Sequence, residues 1–136
     1  MPAGYSGTPL VRKLGLKPGM ACAVLNPPDG YWDLLEDLPD GLTFPDPPGE
    51  ELDFVHVFAA ERRDLPDDLT RFRAAIVPNG MIWVSWPKKA SGVDTDLRGD
   101  VVRQIGLSAG LVDVKVCAVD ETWSGLKFVI RRKDRR

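Results

Sequence analysis

The sequence predicts an α/β fold: an open, mostly parallel, twisted sheet with helices on both faces and an antiparallel hairpin at the C-terminus. Three observations predict it. The runs Met20–Leu25, Leu52–Ala59 and Met81–Trp86 are nearly continuous in apolar residues, the pattern of strands buried on both faces. Two segments, Asp64–Val77 and Asp94–Ala109, repeat apolar residues at helical spacing. The runs Val112–Val119 and Trp123–Arg132 flank Asp120-Glu121-Thr122, a turn short enough for a hairpin. Strands alternating with helices make a parallel sheet, and right-handed crossovers place the helices on its two faces.

Each element has its own local cause. Residues 1–19 are rich in Gly and Pro and form an N-terminal arm packed on the domain, with one helical turn at Leu10–Leu14. The first strand ends at Asn26-Pro27-Pro28-Asp29-Gly30. Asp29 is placed to cap a short helix over Tyr31–Leu38, which stops before Pro39. Gly41–Phe44 reads as a second, short strand. The residues after it, 45–51, are too few for a helical crossover, so its pairing is open. In the first long helix Asp64 is the cap and Pro66 fits the first turn, while Leu69, Phe72 and Ile76 share one side and Pro78-Asn79-Gly80 is the stop. The second long helix carries Leu97, Val101, Val102, Ile105 and Ala109 on one side and ends at Gly110.

The chain has 136 residues, 43% hydrophobic and 28% charged, which suits one globular domain and excludes a disordered or collagen-like chain. The expected organisation is an arm at 1–19, one α/β domain at 20–132 and a basic tail at 133–136. No apolar run is long enough to cross a bilayer, and the opening residues lack the pattern of a secretory leader, so a cytoplasmic protein is expected. Cys22 and Cys117 are too few for a disulfide scaffold, have no zinc spacing, and read as core thiols.

Charge is unevenly placed. Residues 1–25 hold Arg12, Lys13 and Lys17 and no acid, whereas residues 26–61 hold ten acids and no Lys or Arg. The chain ends Arg131-Arg132-Lys133-Asp134-Arg135-Arg136, a solvated terminus without an aromatic residue for base stacking, so nucleic acid is not an expected partner.

In open α/β sheets, ligands bind beyond the carboxyl ends of the strands. That rule selects the candidate site residues. The first strand delivers Asn26, Asp29, Gly30 and Tyr31, and the strand at 52–59 delivers Ala60 and Glu61. The strand at 81–86 delivers Trp86, Lys88, Lys89, Ser91 and Gly92. The turn between the last two strands delivers Asp120, Glu121, Thr122 and Trp123. In WPKKASGVDTD the lysines supply charge, Ser91 a hydroxyl and Gly92 an unhindered backbone, and the following helix offers free N–H groups to an anion. The acids at that helix start compete for the same N–H groups. His56, between Val55 and Val57, reads as a satisfied core histidine. No Ser/His/Asp arrangement, metal cluster, P-loop or dinucleotide loop is present in the sequence, so the motifs imply no catalytic residue, metal or cofactor.

Two resemblances follow from these residues. The order of elements, Leu16-Lys17-Pro18-Gly19 before the first strand and Val77-Pro78-Asn79-Gly80 before MIWVSW resemble the class I S-adenosylmethionine-dependent methyltransferase fold. In that family a glycine-rich loop follows the first strand and meets the cofactor. Here Asn26-Pro27-Pro28-Asp29-Gly30 stands there, and its prolines remove N–H donors. The resemblance thus implies a shortened form of the fold, trimmed on the adenosine side, without methyl transfer. The strings GYSGTPLVRKLGLKPG, WPKKASGVDTDL and VCAVDETWSGLKFVIR are similar to those of short bacterial proteins in domain-of-unknown-function family 3052. That similarity implies a bacterial, single-domain protein and no activity.

The sequence therefore points to non-catalytic binding of a small anionic ligand or a protein partner at the carboxyl edge of the sheet, with no membrane involved. One alternative is an S-adenosylmethionine-dependent methyltransferase with an atypical cofactor loop. The other is an interaction module that docks through the acidic stretch Asp29–Asp53 or through the arm.

Overall fold

The structure, a computed structural model, describes residues 9–45 and 47–135. A five-stranded sheet forms its centre, built from β1 (Cys22–Leu25), β2 (Leu52–Phe58), β3 (Ile76–Pro87), β4 (Leu111–Ala118) and β5 (Trp123–Ile130). The strand order is β1-β2-β3-β5-β4. The first three strands are parallel, and β5 runs antiparallel to both β3 and β4. The helices are α1 (Leu10–Leu14), α2 (Tyr31–Leu34), α3 (Leu65–Ala75) and α4 (Gly99–Ser108). This is the predicted α/β class, a mostly parallel sheet closed by a hairpin.

Alternation along β2 sorts the core into two layers. Val55 and Val57 face one way and pack with Leu65, Leu69 and Phe72 of α3 and Val102 of α4. Phe54 and Phe58 face the other way and pack with Leu10 and Leu14 of α1, Tyr31 of α2 and Trp83 of β3. Fully burying a side chain of this size is worth about 1.5–3 kcal/mol, which explains why even the short α1 is held. The indole N–H of Trp83 also donates to the carbonyl of Leu14 at 2.8 Å. Residues 1–8 of the expected arm, and Arg136 of the tail, lie outside the described residues.

Four expectations about element limits are corrected. Gly41–Phe44 is not a strand: one parallel bridge, Ala21 with Thr43, stands beside β1. The helix expected over Tyr31–Leu38 has only four residues, and Gly30 (φ 82°), not Asp29, occupies its cap position without a side-chain bond. The first long helix ends at Ala75 because the chain is already extended at Ile76, which pairs with Leu52. The next β2–β3 pair is Phe54 with Met81, so residues 77–80 bulge out of the ladder. Gly80 fits there because a Cβ would come within 2.9 Å of Ile76 Cβ and 3.0 Å of the Leu52 carbonyl. The second long helix begins at Gly99, not Asp94. Thr95 Oγ1 donates to the Ala60 carbonyl at 2.6 Å, and the Arg62 N–H donates to Asp96 Oδ1 at 2.8 Å, so this stretch is strapped to the loop after β2. Asp64 stands at the cap position of α3, as read from the sequence, but makes no side-chain capping bond.

Topology fixes where a ligand crevice falls. From β1 the chain moves outward to Thr43 and then returns across β1 to form β2. Strand order therefore reverses between β1 and β2, the position at which doubly wound sheets open a crevice at their carboxyl ends. At the other margin β4 exposes Val114 and Val116. A bulge between Asp113 and Lys115 interrupts that strand, a feature that hinders edge-to-edge pairing.

Gly106 lets α4 lie directly on the sheet, since a Cβ there would run into the Phe128 ring. Gly106→Ala gains about 1 kcal/mol of helix propensity and loses about 3 kcal/mol to overpacking. Urea denaturation should show a net loss of roughly 2 kcal/mol, the difference of those two effects.

Candidate functional site

The two unusual loops meet at one rim. Pro87 pairs with Trp123 and Trp86 with Ser124 where β3 runs beside β5. The Lys88 N–H donates to the Thr122 carbonyl at 2.7 Å, and the Lys88 ammonium donates to the Asp120 carbonyl at 2.7 Å. Asp120 Oδ1 accepts the N–H groups of Thr122 and Trp123, each at 2.8 Å, and so shapes the turn. Ser91 Oγ donates to the Lys88 carbonyl at 2.6 Å and accepts the Val93 N–H at 3.2 Å. Lys88, Ser91, Asp120 and Thr122 thus build the rim by bonding to one another.

A cleft of about 740 Å³ opens beside this junction, with Trp86 in its wall and Lys88, Lys89, Gly92, Asp94, Arg98 and Ser124 around it. Its positive charge is partly spent. Arg98 pairs with Asp100 through Nε at 3.2 Å. The Arg98 bond and the backbone N–H groups of residues 100 and 101 hold the Asp100 carboxyl below its usual range. The first turn of α4 therefore carries its own anion. Lys89 is exposed and makes no salt bridge among the described residues. Glu121 is exposed on the same rim.

A second cleft, of about 280 Å³, lies at the strand reversal, bounded by Asn26, Phe58, Glu61, Asp64, Asp68 and Trp123. Asn26 ends β1 in the left-handed region (φ 57°), which Asn tolerates better than most residues. Its amide donates to the Phe58 carbonyl at 3.4 Å and so links the two strand ends. Trp123 meets Phe58 edge-on, with ring centroids 5.1 Å apart. Burial raises the Asp68 carboxyl above its ordinary value, and the nearby Asp64 and Asp67 add to the rise while Arg71 opposes it. Arg63 pairs with Glu61 at 2.8 Å and lies 4.0 Å from Asp64 Oδ2, so Asp68 is the carboxylate of this cleft that makes no salt bridge among the described residues.

Of the sequence candidates, Trp86, Lys88, Lys89 and Gly92 line the larger cleft, and Asn26 and Trp123 line the smaller. Asp29 is exposed and lines neither. Tyr31 is turned into the core: it is fully buried, and its hydroxyl lies 2.9 Å from His56 Nδ1. Sequence reasoning missed Asp64 and Asp68. Their spacing, four residues apart on a helix, puts them on one face, and that was the available signal.

His56 is the buried centre of a three-residue chain. Its Nε2 lies 2.7 Å from Ser85 Oγ, and Phe58 stacks on its ring with centroids 4.2 Å apart. The core reading of His56 holds, as it is fully buried, and Trp83 beside it is fully buried too. Cys22 is buried as well, and burial pushes its thiol up to about 11, with Asp53 adding to the rise.

No family model matches the chain and no curated protein matches it. Solved structures do share its fold. A SAM-dependent methyltransferase from Aquifex aeolicus has a TM-score of 0.60 at 13% identity, over 89% of this chain and 88% of that one. A ribosomal protein L11 methylase from Lactobacillus delbrueckii has a TM-score of 0.56 at 10% identity, over 90% of this chain and 76% of that one. A possible exported protein from Bordetella parapertussis has a TM-score of 0.62 at 13% identity, over 89% of this chain and 65% of that one. At such identities the likeness defines the fold, a Rossmann-like architecture of the class I methyltransferase type. No helix among the described residues is long and apolar enough to cross a membrane.

Burial lowers the His56 imidazole from 6.5 to about 3. The unfolded chain then binds the extra proton, so this stability is complete above pH 6.5 and is lost as pH falls through 6.5 toward 3. A full proton of difference is worth about 1.4 kcal/mol per pH unit. Unfolding free energies should fall by about 2 kcal/mol between pH 7 and pH 5 from this group. His56→Gln should be less stable at pH 7 and should lose that slope.

Proposed function

We propose that this protein binds a small molecule of the S-adenosylmethionine class, a cationic amino acid joined to a nucleoside, at the carboxyl ends of β1 and β2. The observation that supports this most is the cleft at the strand reversal, where Asp68, beside Glu61 and Asp64 that share the Arg63 guanidinium, stands opposite Asn26 and Trp123. Carboxylates attract an ammonium or sulfonium group and repel a phosphate. The proposal is for binding, not for transfer of a methyl group. Pro27 and Pro28 remove two N–H donors from the loop after β1, and among the described residues only a one-residue bridge at Thr43 flanks β1 on the adenosine side. We also propose membership of domain-of-unknown-function family 3052, on the strings GYSGTPL, WPKKASG and DETWSG.

Calorimetry with S-adenosylmethionine and its uncharged-sulfur product S-adenosylhomocysteine tests the reading. The sulfonium form should bind more tightly, and Asp64→Asn/Asp68→Asn should weaken it about tenfold, the size of 1.4 kcal/mol. Heat-silent titrations at millimolar ligand, or a double variant that binds as well as the parent, would refute it.

A second reading is favoured by the larger cleft: a small anion, bound without catalysis, beside Lys89 and the walls made by Trp86 and Ser124. Thermal-shift screening against nucleotides and phosphometabolites should then find a ligand whose stabilisation disappears in Lys89→Ala. If every hit stabilises that variant equally, this reading fails.

A further inference from the structure

We infer that the outer edge of β1, with the aromatic groove beside it, docks an extended basic segment of a partner protein, which adds a strand to the sheet. The inference stands apart from ligand binding at the strand ends. The sheet stops abruptly at β1. The Cys22 N–H donates to the Thr43 carbonyl at 2.8 Å, and the Thr43 N–H donates to the Met20 carbonyl at 3.0 Å. Strand alternation points the N–H and C=O of Val24 the same way as those of Cys22. No bridge partner lies there among the described residues.

Beside this edge is a groove of about 390 Å³ walled by Val24, Trp32, Phe44, Pro45, Pro48 and Phe72. Trp32 is 48% exposed and Phe44 39%, although their rings meet edge-on with centroids 5.2 Å apart. Single exposed apolar residues are ordinary, but paired aromatics lining a groove mark an interaction surface. Pro45 and Pro48 have no N–H to offer the edge, so this flank does not close on itself.

Charge selects the occupant. Asp33, Glu36, Asp37, Glu50 and Glu51 are exposed on the segments that frame the groove. None of them pairs with a cation among the described residues. These acids stand on the rim rather than in the wall, where Arg71 is the charged side chain among the described residues. Two copies of this acidic face repel each other, whereas a strand carrying Lys or Arg is attracted. Main-chain bonds to the edge would supply affinity, and the aromatic groove would take alternate side chains.

The test uses the full chain and a fluorescein-labelled octapeptide of alternating Lys and Val, read by fluorescence polarisation. It should bind at least tenfold tighter than the Glu/Val octapeptide. Trp32→Ala and Phe44→Ala, both at exposed positions, should each weaken it at least fivefold without changing the melting temperature. N-methylation of alternate peptide bonds should weaken it about tenfold, which a purely ionic contact would not. Asp64→Asn/Asp68→Asn should bind the peptide as the parent does, so loss of the ligand reading leaves this one standing. Equal binding by the aromatic variants, equal binding of the methylated peptide, or a dimer in light scattering that Trp32→Ala dissociates would each overturn it.

Discussion

The rest of the structure depends on one buried polar requirement. His56 sits at the centre of β2 with no solvent access, and its two ring nitrogens must both find partners there. Tyr31 and Ser85 are those partners, at 2.9 and 2.7 Å. The chain of contacts joins α2, β2 and β3. It therefore fixes how α2 lies on the sheet, and with it the course of the loop from Asn26 to Gly30 that leads into α2. A neutral imidazole satisfies this geometry with one donor and one acceptor nitrogen, and burial keeps it neutral. Gly125 belongs to the same requirement, because a Cβ there would lie 3.2 Å from Ser85 Oγ and 3.3 Å from Trp83.

Above this centre the carboxyl edge is divided into two electrostatic regions. The loop from Val93 to Leu97 separates them, strapped to the loop after β2 through Thr95 and Asp96. On one side lie Lys89 and the Lys88–Asp120 junction, and on the other Glu61, Asp64 and Asp68. Lys88 illustrates why residue type alone misleads. Its ammonium closes a bond between two loops and stabilises the rim, so its charge is less available to a ligand than sequence suggests. The same holds for Arg98, which is matched by Asp100. Net charge at a site is set by what remains after such internal pairing.

The sheet is also asymmetric at its margins. At β4 the exposed valines sit on a strand interrupted by a bulge and flanked by Asp113 and Lys115, which discourages pairing. At β1 the strand has four residues, Thr43 bridges its first part, and an aromatic groove lies beside the rest. The two margins thus differ in how they end the sheet, one in a bulged strand and the other in a single bridge.

The sequence alone determined the class of fold and the residues of its core. Strands with uninterrupted apolar runs have few alternatives to burial on both faces, and the 3.6-residue period of Leu69 and Phe72 selects a helix. The convergence of WPKKASG and DETWSG followed from strand direction alone. Tertiary structure decided the rest, because it depends on partners distant in the chain. Helix α4 starts at Gly99 because Ala60 and Arg62 capture the residues before it. Tyr31 leaves the rim because His56, 25 residues away, needs its hydroxyl. Asp64 and Asp68 join Asn26 and Trp123 only when α3 packs beneath the ends of β1 and β2. Local pattern is a property of neighbours in sequence, whereas a site is a property of neighbours in space, and folding supplies the second from the first only through the packing of the whole chain.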